Sequence, residues 1–443
     1  MFAVASIALF MASVDQTIVA TALGTLQRDM NAAVNWSSWT ITIYALGQII
    51  AMPLAGTISD RYGRKKVFIC AILLFTVASL SCGLANDIYT LVALRAVQAI
   101  GGGAFMPSAT GIVADEFGRD RDRAIGLFTS IFPIGGLVGP VLGGVFVTYW
   151  SWRGIFLVNV PIGIFLFCLG IVVVPGSRKK AATGLDLSGI ALLGTGLLGS
   201  MLAVSYLGSA SASLLDARFI APLAIGIICL LLFVRHSARA AAPFVPLNLL
   251  AGKGFGIMNV INFVWGSAMF GFATLVPLYA EERYHLPVLA AGSLLTARAV
   301  GMIVVAALAT FMLRRTGYRL PMIAGFITAA TGLLLMGMSP PGLSAYAWLA
   351  IAAGFTGVGI GVAVPASNNA TLHRAPESTA SVAGLRGMFR QSGGITAISV
   401  ITAIAARDAS PALALAHAFW VLAFLLICLI PVVFLVPDHR GQW

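Results

Sequence analysis

Gly56-Thr57-Ile58-Ser59-Asp60-Arg61-Tyr62-Gly63-Arg64-Lys65-Lys66 is the stretch that decides the fold. It stands between apolar runs at roughly 36–57 and 67–85, each long enough to cross about 30 Å of hydrocarbon as a helix. Its last six residues include Arg61, Arg64, Lys65 and Lys66. A short basic loop between two such helices belongs on the cytoplasmic face of a membrane. That reading explains the Arg and Lys but not Gly56 or Asp60. Gly56 would let another helix pack close, and Asp60 stands where it would meet the positive N-terminus of another helix. Arg61 and Arg64 have Asp115 or Glu116, at the inner end of the fourth apolar run, as candidate partners.

Outward from this loop the same alternation repeats. Hydrophobic residues make up 59% of the chain and charged residues 9%, where a soluble domain carries about 25% charged residues. A bilayer is the solvent such a chain fits. The apolar runs predict about fourteen transmembrane helices in an all-α integral membrane protein. The first six fall at roughly 2–25, 36–57, 67–85, 89–112, 124–147 and 154–174, and a middle pair at roughly 188–208 and 217–235. The last six fall at roughly 256–280, 290–312, 321–338, 344–366, 381–404 and 413–436. The expected organisation is a six-helix bundle over 1–175, a central linker with two extra helices over 176–254, and a second six-helix bundle over 255–443.

The first run lacks a basic start and carries Asp15, so it reads as a retained helix and not a cleaved leader. The sequence opens at that helix, without the cytoplasmic lead-in expected ahead of it. With both termini cytoplasmic, eighteen of the 27 basic residues fall on the inside, in clusters such as Arg119, Arg121 and Arg123, or Arg178, Lys179 and Lys180. Five fall outside (Arg28, Arg153, Arg218, Arg283 and Arg407), and Arg95, Arg298, Arg386 and Arg390 lie within helices. That bias fixes the expected orientation. It also accounts for the net charge of +12 without a basic domain or tail, so no nucleic-acid partner is expected.

Two further stretches carry chemistry. In Gly135-Gly136-Leu137-Val138-Gly139-Pro140-Val141-Leu142-Gly143-Gly144, Gly135, Gly139 and Gly143 are spaced i, i+4, i+8 and form a groove of minimal side chain, with Pro140 favouring a bend. Ordinary tight helix packing would use the same residues. In Leu91-Val92-Ala93-Leu94-Arg95-Ala96-Val97-Gln98-Ala99-Ile100-Gly101-Gly102, Arg95 needs a partner or water inside the membrane. Asp15 is that candidate: helical rise puts it about 10 Å, and Arg95 about 9 Å, below the same outer edge. Asp15 is also the one acidic residue well inside a predicted helix. A carboxylate balanced between burial, which favours the proton, and a cation, which favours the charge, suits proton exchange. The alternative is a purely structural Asp15–Arg95 pair.

These motifs in combination resemble the major facilitator superfamily. Residues 56–66 are similar to its loop signature G-x-x-x-D-R-x-G-R-[KR], Gly135–Gly144 to its antiporter motif G-x-x-x-G-P-x-x-G-G, and Leu91–Gly102 to L-x-x-x-R-x-x-Q-G-x-G, with Ala99 in place of the first glycine. Asp15-Gln16-Thr17-Ile18-Val19-Ala20-Thr21-Ala22-Leu23 resembles the D-x-T-I-V-N-x-A-L-P start of the fourteen-helix drug:proton antiporter branch, although Ala20 and Gly24 replace Asn and Pro. Residues 152–163, Asp186 with Gly189, and Arg390-Gln391-Ser392-Gly393-Gly394 extend the resemblance nearly end to end.

The resemblance implies export of amphipathic hydrophobic compounds by alternating access, driven by a proton gradient without a bound cofactor. The expected location is the inner (plasma) membrane, with lipid, protons and a small substrate as partners and a monomer as the unit. Asp15, Arg95, Gln98 and Arg390 are the candidate proton-coupling and substrate residues. Gly56, Asp60, Arg61, Gly63, Arg64 and Asp115 are the candidate cytoplasmic gate.

A weak internal repeat supports two halves: Arg61-Tyr62-Gly63 and Arg315-Thr316-Gly317 stand in equivalent loops. Arg386 and Arg390 share a helix face, Arg298 has Glu281 or Glu282 as possible partners, and Trp36, Trp39, Trp150 and Trp152 are expected at the interface. Phe105, Met106, Trp265, Met269, Phe272 and Met388 are candidates for an adaptable apolar pocket. Cys70, Cys82, Cys168, Cys229 and Cys428 read as small buried hydrophobes. No P-loop, metal-ligand spacing or nucleophile elbow appears in the sequence, so no enzymatic activity is expected. The excess of intramembrane arginine keeps open a lipid-like or anionic cargo, or import, on the same fold. A non-transporting receptor or scaffold is the remaining alternative.

Overall fold

A computed structural model describes the chain except residues 33, 177–185, 208–212, 242, 253, 339, 341, 374, 406, 409, 437 and 439–443. Arg178, Lys179, Lys180, Lys253, Arg374 and Arg440, all part of the charge bias, lie outside the described residues. The described residues form helices and no strand. In order these are α1 Phe2–Ile18, α2 Leu23–Asp29, α3 Val34–Tyr62, α4 Arg64–Gly83, α5 Ile88–Glu116, α6 Arg121–Thr129, α7 Ile131–Tyr149, α8 Gly154–Leu157 and α9 Asn159–Val173. There follow α10 Leu187–Leu207, α11 Ala217–Arg239, α12 Leu247–Ala251, α13 Phe255–Tyr284, α14 Val288–Thr316, α15 Arg319–Gly337, α16 Ala345–Leu372, α17 Thr379–Ala405 and α18 Pro411–Val433.

Among the described residues, 13 spans are long and apolar enough to cross a membrane. The fourteenth long helix, α17, has 27 residues but carries Arg386, Arg390 and Gln391. The predicted fold class is therefore the observed one. Three predicted spans are interrupted. A 3-10 turn at Val19–Ala22 joins α1 to α2. A break at Ser130 separates α6 from α7, and α8 and α9 meet at Val158. The break at Ser130 has a local cause: the ring of Pro133 lacks an N–H and crowds the carbonyl four residues back, that of Thr129, where α6 ends.

The chain divides into two compact units. The first holds Met1–Gly184 with Ala375–Met388, and the second holds Leu185–Arg374 with Phe389–Trp443. In the first unit, α5 lies between α3 and α4. A Cβ at Gly101 would meet the Phe75 nitrogen of α4 at 2.8 Å, and one at Gly103 would meet the Ala51 Cβ of α3 at 2.8 Å. The Gly101-Gly102-Gly103 run thus lets one helix approach two others at backbone distance. In the second unit, α16 lies between α14 and α15 by the same device. Gly361 faces the Met302 carbonyl at 2.5 Å, and Gly325 faces the Gly359 carbonyl at 2.6 Å. Gly63 (φ 106°) and Gly317 (φ 71°) both hold left-handed backbone at the turn between two long helices. That conformation explains the repeated glycine of the Arg-x-Gly loops.

Two expectations change. Only Cys82 of the five cysteines is buried; Cys70, Cys168 and Cys428 are exposed, and all five are free. In a membrane helix an outward face is apolar too, so apolar surroundings in sequence do not mark the inside. Trp152, expected among the interfacial tryptophans, packs inside the protein at 2% exposure, edge-on to Phe156, with the Arg153 guanidinium 4.5 Å from its ring centroid. Arg153 in turn donates to the carbonyls of Gly83 (2.9 Å) and Ala85 (2.6 Å), closing the C-terminus of α4.

Candidate functional site

Five helices of the first unit converge on Asp15. Its carboxylate is fully buried, at 0% exposure, and accepts three hydrogen bonds. Arg95 Nη1 donates to Oδ2 at 2.6 Å, while Gln98 Nε2 and Asn159 Nδ2 each donate to Oδ1 at 2.9 Å. Arg95 and Gln98 stand i, i+3 on α5 and so point the same way. Gln98 is saturated: its amide nitrogen also donates to Ser79 Oγ at 2.7 Å, and its oxygen accepts from Arg95 Nη1 at 2.7 Å and Cys82 Sγ at 3.8 Å. Arg95 Nε donates to the Thr40 carbonyl at 3.2 Å. The Tyr44 ring lies 3.9 Å below the guanidinium, with Phe156 at 5.6 Å.

The geometry meets the cost of burying two charges in the only workable way. Each charge has an opposite partner and further hydrogen bonds for its remaining polar atoms. Removing one partner from such a pair costs about 3–5 kcal/mol. Arg95 keeps neutral contacts in Gln98, Thr40 and Tyr44, so loss of charge on Asp15 would not leave it unsupported. Sequence reasoning brought Asp15, Arg95 and Gln98 forward, and the structure brings these three together. It adds Asn159 and Ser79, which no charge signal marked. Arg390 lies in the second unit, where Gly266 packs against its backbone.

The loop signature forms a second cluster. Asp60 Oδ1 accepts from Arg64 Nε (3.1 Å) and Nη2 (2.9 Å), and its Oδ2 accepts from Ser381 N and Ser381 Oγ, both at 2.8 Å. Ala380 N adds a long bond of 3.4 Å. Asp60 therefore sits on the first turn of α17, where unpaired N–H groups and the helix dipole favour an anion. Arg64 Nη1 reaches the Gly111 carbonyl at 2.7 Å and Asp115 Oδ1 at 2.5 Å, so Asp115, of the two acids considered, is its partner on α5. A Cβ at Gly56 would strike the backbone of Ala380 and Ser381, the latter Cα at 2.9 Å. Arg61 closes α3 and Gly63 makes the turn.

The third motif is a seam. Gly135, Gly139 and Gly143 on α7 meet Ser13, Thr17 and Thr21 on the α1 rod, one small residue per turn on each side. Cβ atoms at Gly135 and Gly139 would lie 2.9 Å from the Phe10 and Val14 carbonyls, and one at Gly143 would lie 2.7 Å from that of Ile18. Ser13 also donates across the seam to the Phe132 carbonyl. Pro140 stays inside a continuous α7, and nothing lies within 4 Å of a Cβ at Gly144, which is outside the seam. In the second unit, the expected pairing of Arg298 with Glu281 or Glu282 is absent among the described residues. The Arg298 guanidinium lies 5.4 Å from the Phe272 ring centroid. Glu281 is nine residues beyond Phe272, about 13 Å further along α13.

Two helical units, each drawn together through glycine contacts, and a buried ion pair within the first describe a multi-pass membrane protein. The Major Facilitator Superfamily model matches residues 5–398, and the chain belongs to that family. Multidrug transporter protein MdtP of Bacillus subtilis (strain 168) is 27% identical over 404 residues, covering 90% of this chain and 73% of that protein. Multidrug resistance protein Stp of Mycobacterium tuberculosis (strain CDC 1551 / Oshkosh) is 37% identical over 183 residues, 41% of this chain and 34% of its own length. A crystal structure of a double tryptophan mutant of XylE shares the fold with a TM-score of 0.72 at 14% identity, over 100% of this chain and 96% of that one. The human organic anion transporter MFSD10 shares it with a TM-score of 0.67 at 15% identity, over 96% and 98%.

Proposed function

We propose that this transporter exports amphipathic, hydrophobic compounds in exchange for protons, by alternating access in the plasma membrane with both termini cytoplasmic. The observation that carries this reading is Asp15: a fully buried carboxylate held by Arg95, Gln98 and Asn159. Protonation of Asp15 removes the charge that Arg95 answers. Arg95 then keeps its contacts to Gln98, the Thr40 carbonyl and Tyr44, while the tie from α5 to α1 and α9 weakens. Since α1 is also one side of the seam with α7, a proton at Asp15 acts on a helix that can slide on small residues. The Asp60–Arg64–Asp115 cluster on α17 is the cytoplasmic latch. The proton gradient is the energy source, with no bound cofactor. The names of the relatives MdtP and Stp support a drug-like cargo, and the basic inside loops support the orientation.

Dye efflux in everted vesicles under an imposed proton gradient tests the reading, with wild type and Asp15→Asn at matched expression. Efflux by wild type that collapses at least about tenfold in Asp15→Asn is expected, since Asn keeps the shape of the carboxyl but can neither take up nor release a proton. Equal efflux by both would remove Asp15 from the coupling step.

A further inference from the structure

Two donors in the interior of the second unit have no acceptor among the described residues. Arg298 on α14 is 8% exposed, and its Nε is buried without a hydrogen-bond partner. Neither a hydrogen bond nor an ion pair of its other nitrogens is present among the described residues. Trp265 on α13 is 3% exposed, and its Nε1 is likewise buried without a partner. The contrast with Arg95 is internal to this chain. That buried arginine has a carboxylate, an amide and a carbonyl, whereas Arg298 has the face of Phe272 at 5.4 Å. A ring quadrupole offsets only part of the cost of stripping water from a guanidinium. An intramembrane cation without an internal counter-ion marks a functional site.

The surroundings say what such a counter-ion would be attached to. Trp265, Met269 and Phe272 are spaced i, i+4, i+7 and share one face of α13. Trp265 and Phe272 are about 10 Å apart along the axis. Trp265 packs on Phe326 of α15 at 5.0 Å and Phe272 on Phe419 of α18 at 6.2 Å, so the strip is backed by aromatic rings. Met269, between them, is unbranched and reshapes at low cost. Glu281, which would repel an anion, stands about 13 Å beyond Phe272 along α13, past the Arg298 end of the strip.

We propose that this strip binds an amphipathic organic anion. A carboxylate or sulfonate pairs with the Arg298 guanidinium, an aromatic body lies along Phe272 and Met269, and Trp265 Nε1 donates to an acceptor at the other end. The inference rests on the transport reading in one respect: the strip is buried, and alternating access supplies the conformation that uncovers it.

Equilibrium binding to the full chain in nanodiscs of zwitterionic lipid, without a proton gradient, tests the site. The probes share one body: 6-methoxynaphthalene carrying a 2-sulfonate, a 2-hydroxymethyl or a 2-aminomethyl group. Wild type is expected to bind the sulfonate at least about tenfold tighter than the alcohol, as a charge-assisted bond in low dielectric requires. Arg298→Gln erases that preference, Arg298→Lys keeps part of it, and Trp265→Phe weakens the sulfonate about threefold or more. Sulfonate binding unchanged in Arg298→Gln, or no preference for the sulfonate in wild type, overturns the proposal. Where Arg298→Gln fails to give a monodisperse protein, Arg298→Lys and the wild-type probe ratio decide. The two readings fail separately. Sulfonate preference without proton-driven efflux retains the site and sinks the antiport reading, whereas dye efflux without sulfonate preference does the reverse.

Discussion

Asp15 and Asn159 show what one hydrogen bond does at a buried charge. Asn159 donates to the same oxygen as Gln98, so its loss leaves the Asp15 carboxyl with one donor fewer. A hydrogen bond to a charged group contributes about 1.5–3 kcal/mol. Asn159→Leu is therefore expected to lower the melting temperature of the purified transporter and to slow efflux, with Asn159→Ser intermediate. Thermal melts followed by tryptophan fluorescence, paired with vesicle efflux, check this. Unchanged melting in Asn159→Leu would mean the 2.9 Å contact carries no energy. Asp15 and Arg95 were legible in the sequence because a charge within an apolar run is rare, and helical rise alone matched their depths. Their contact was not legible, since rotation about each helix axis is set by packing. Asn159, Ser79 and the Thr40 carbonyl were hidden for another reason: small polar groups are common in membrane helices and carry no charge signal.

At the scale of the element, the α1–α7 seam separates glycines that pack from glycines that do not. Gly139 would place a Cβ against the Thr17 hydroxyl and the Val14 carbonyl, whereas Gly144 faces open space. Gly139→Leu is expected to drive α7 off α1 and to abolish efflux along with much of the folded yield. Gly144→Ala should melt at or slightly above wild type, because alanine is better than glycine in a helix by about 1 kcal/mol. Gel-filtration yield and melting of the two variants side by side decide it; similar behaviour would mean the seam is not in tight contact. The i, i+4, i+8 spacing made Gly135, Gly139 and Gly143 readable as one groove, but not which helix fills it. The partner also uses Ser13, Thr17 and Thr21 at i, i+4, i+8, with Thr17 and Thr21 bonded back to carbonyls of their own helix. Such back-bonding bends helices, and the 3-10 turn Val19–Ala22 lies in this stretch. Hydropathy cannot see that turn or the break at Ser130, because neither changes the apolar count.

For the whole molecule, the helix number was legible through charge alternation and apolar length, and the repeat through Gly63 and Gly317. The tie that organises the central pair is finer. Asp186 precedes α10 and accepts from Gly189 N (2.8 Å), Phe244 N (3.0 Å) and, across to α11, His236 Nε2 (2.7 Å). Burial works against the charge on this carboxyl. The hydrogen bonds from Gly189, Phe244 and His236 outweigh it and hold its pKa below the usual carboxylate range. A lowered folded-state pKa contributes stability above the unfolded value, near 4, and that contribution is lost as pH falls through the folded value. Asp186→Asn should therefore loosen the α10–α11 pair at neutral pH. The gap to wild type should begin to narrow below about pH 4, the unfolded value, and close only as pH falls through the lower folded value, where wild type loses the same charge. Limited proteolysis of the stretch between Arg235 and Phe244 measures it. A difference that persists undiminished at low pH would assign the tie to shape, not charge, and leave Asp186 as a simple helix cap.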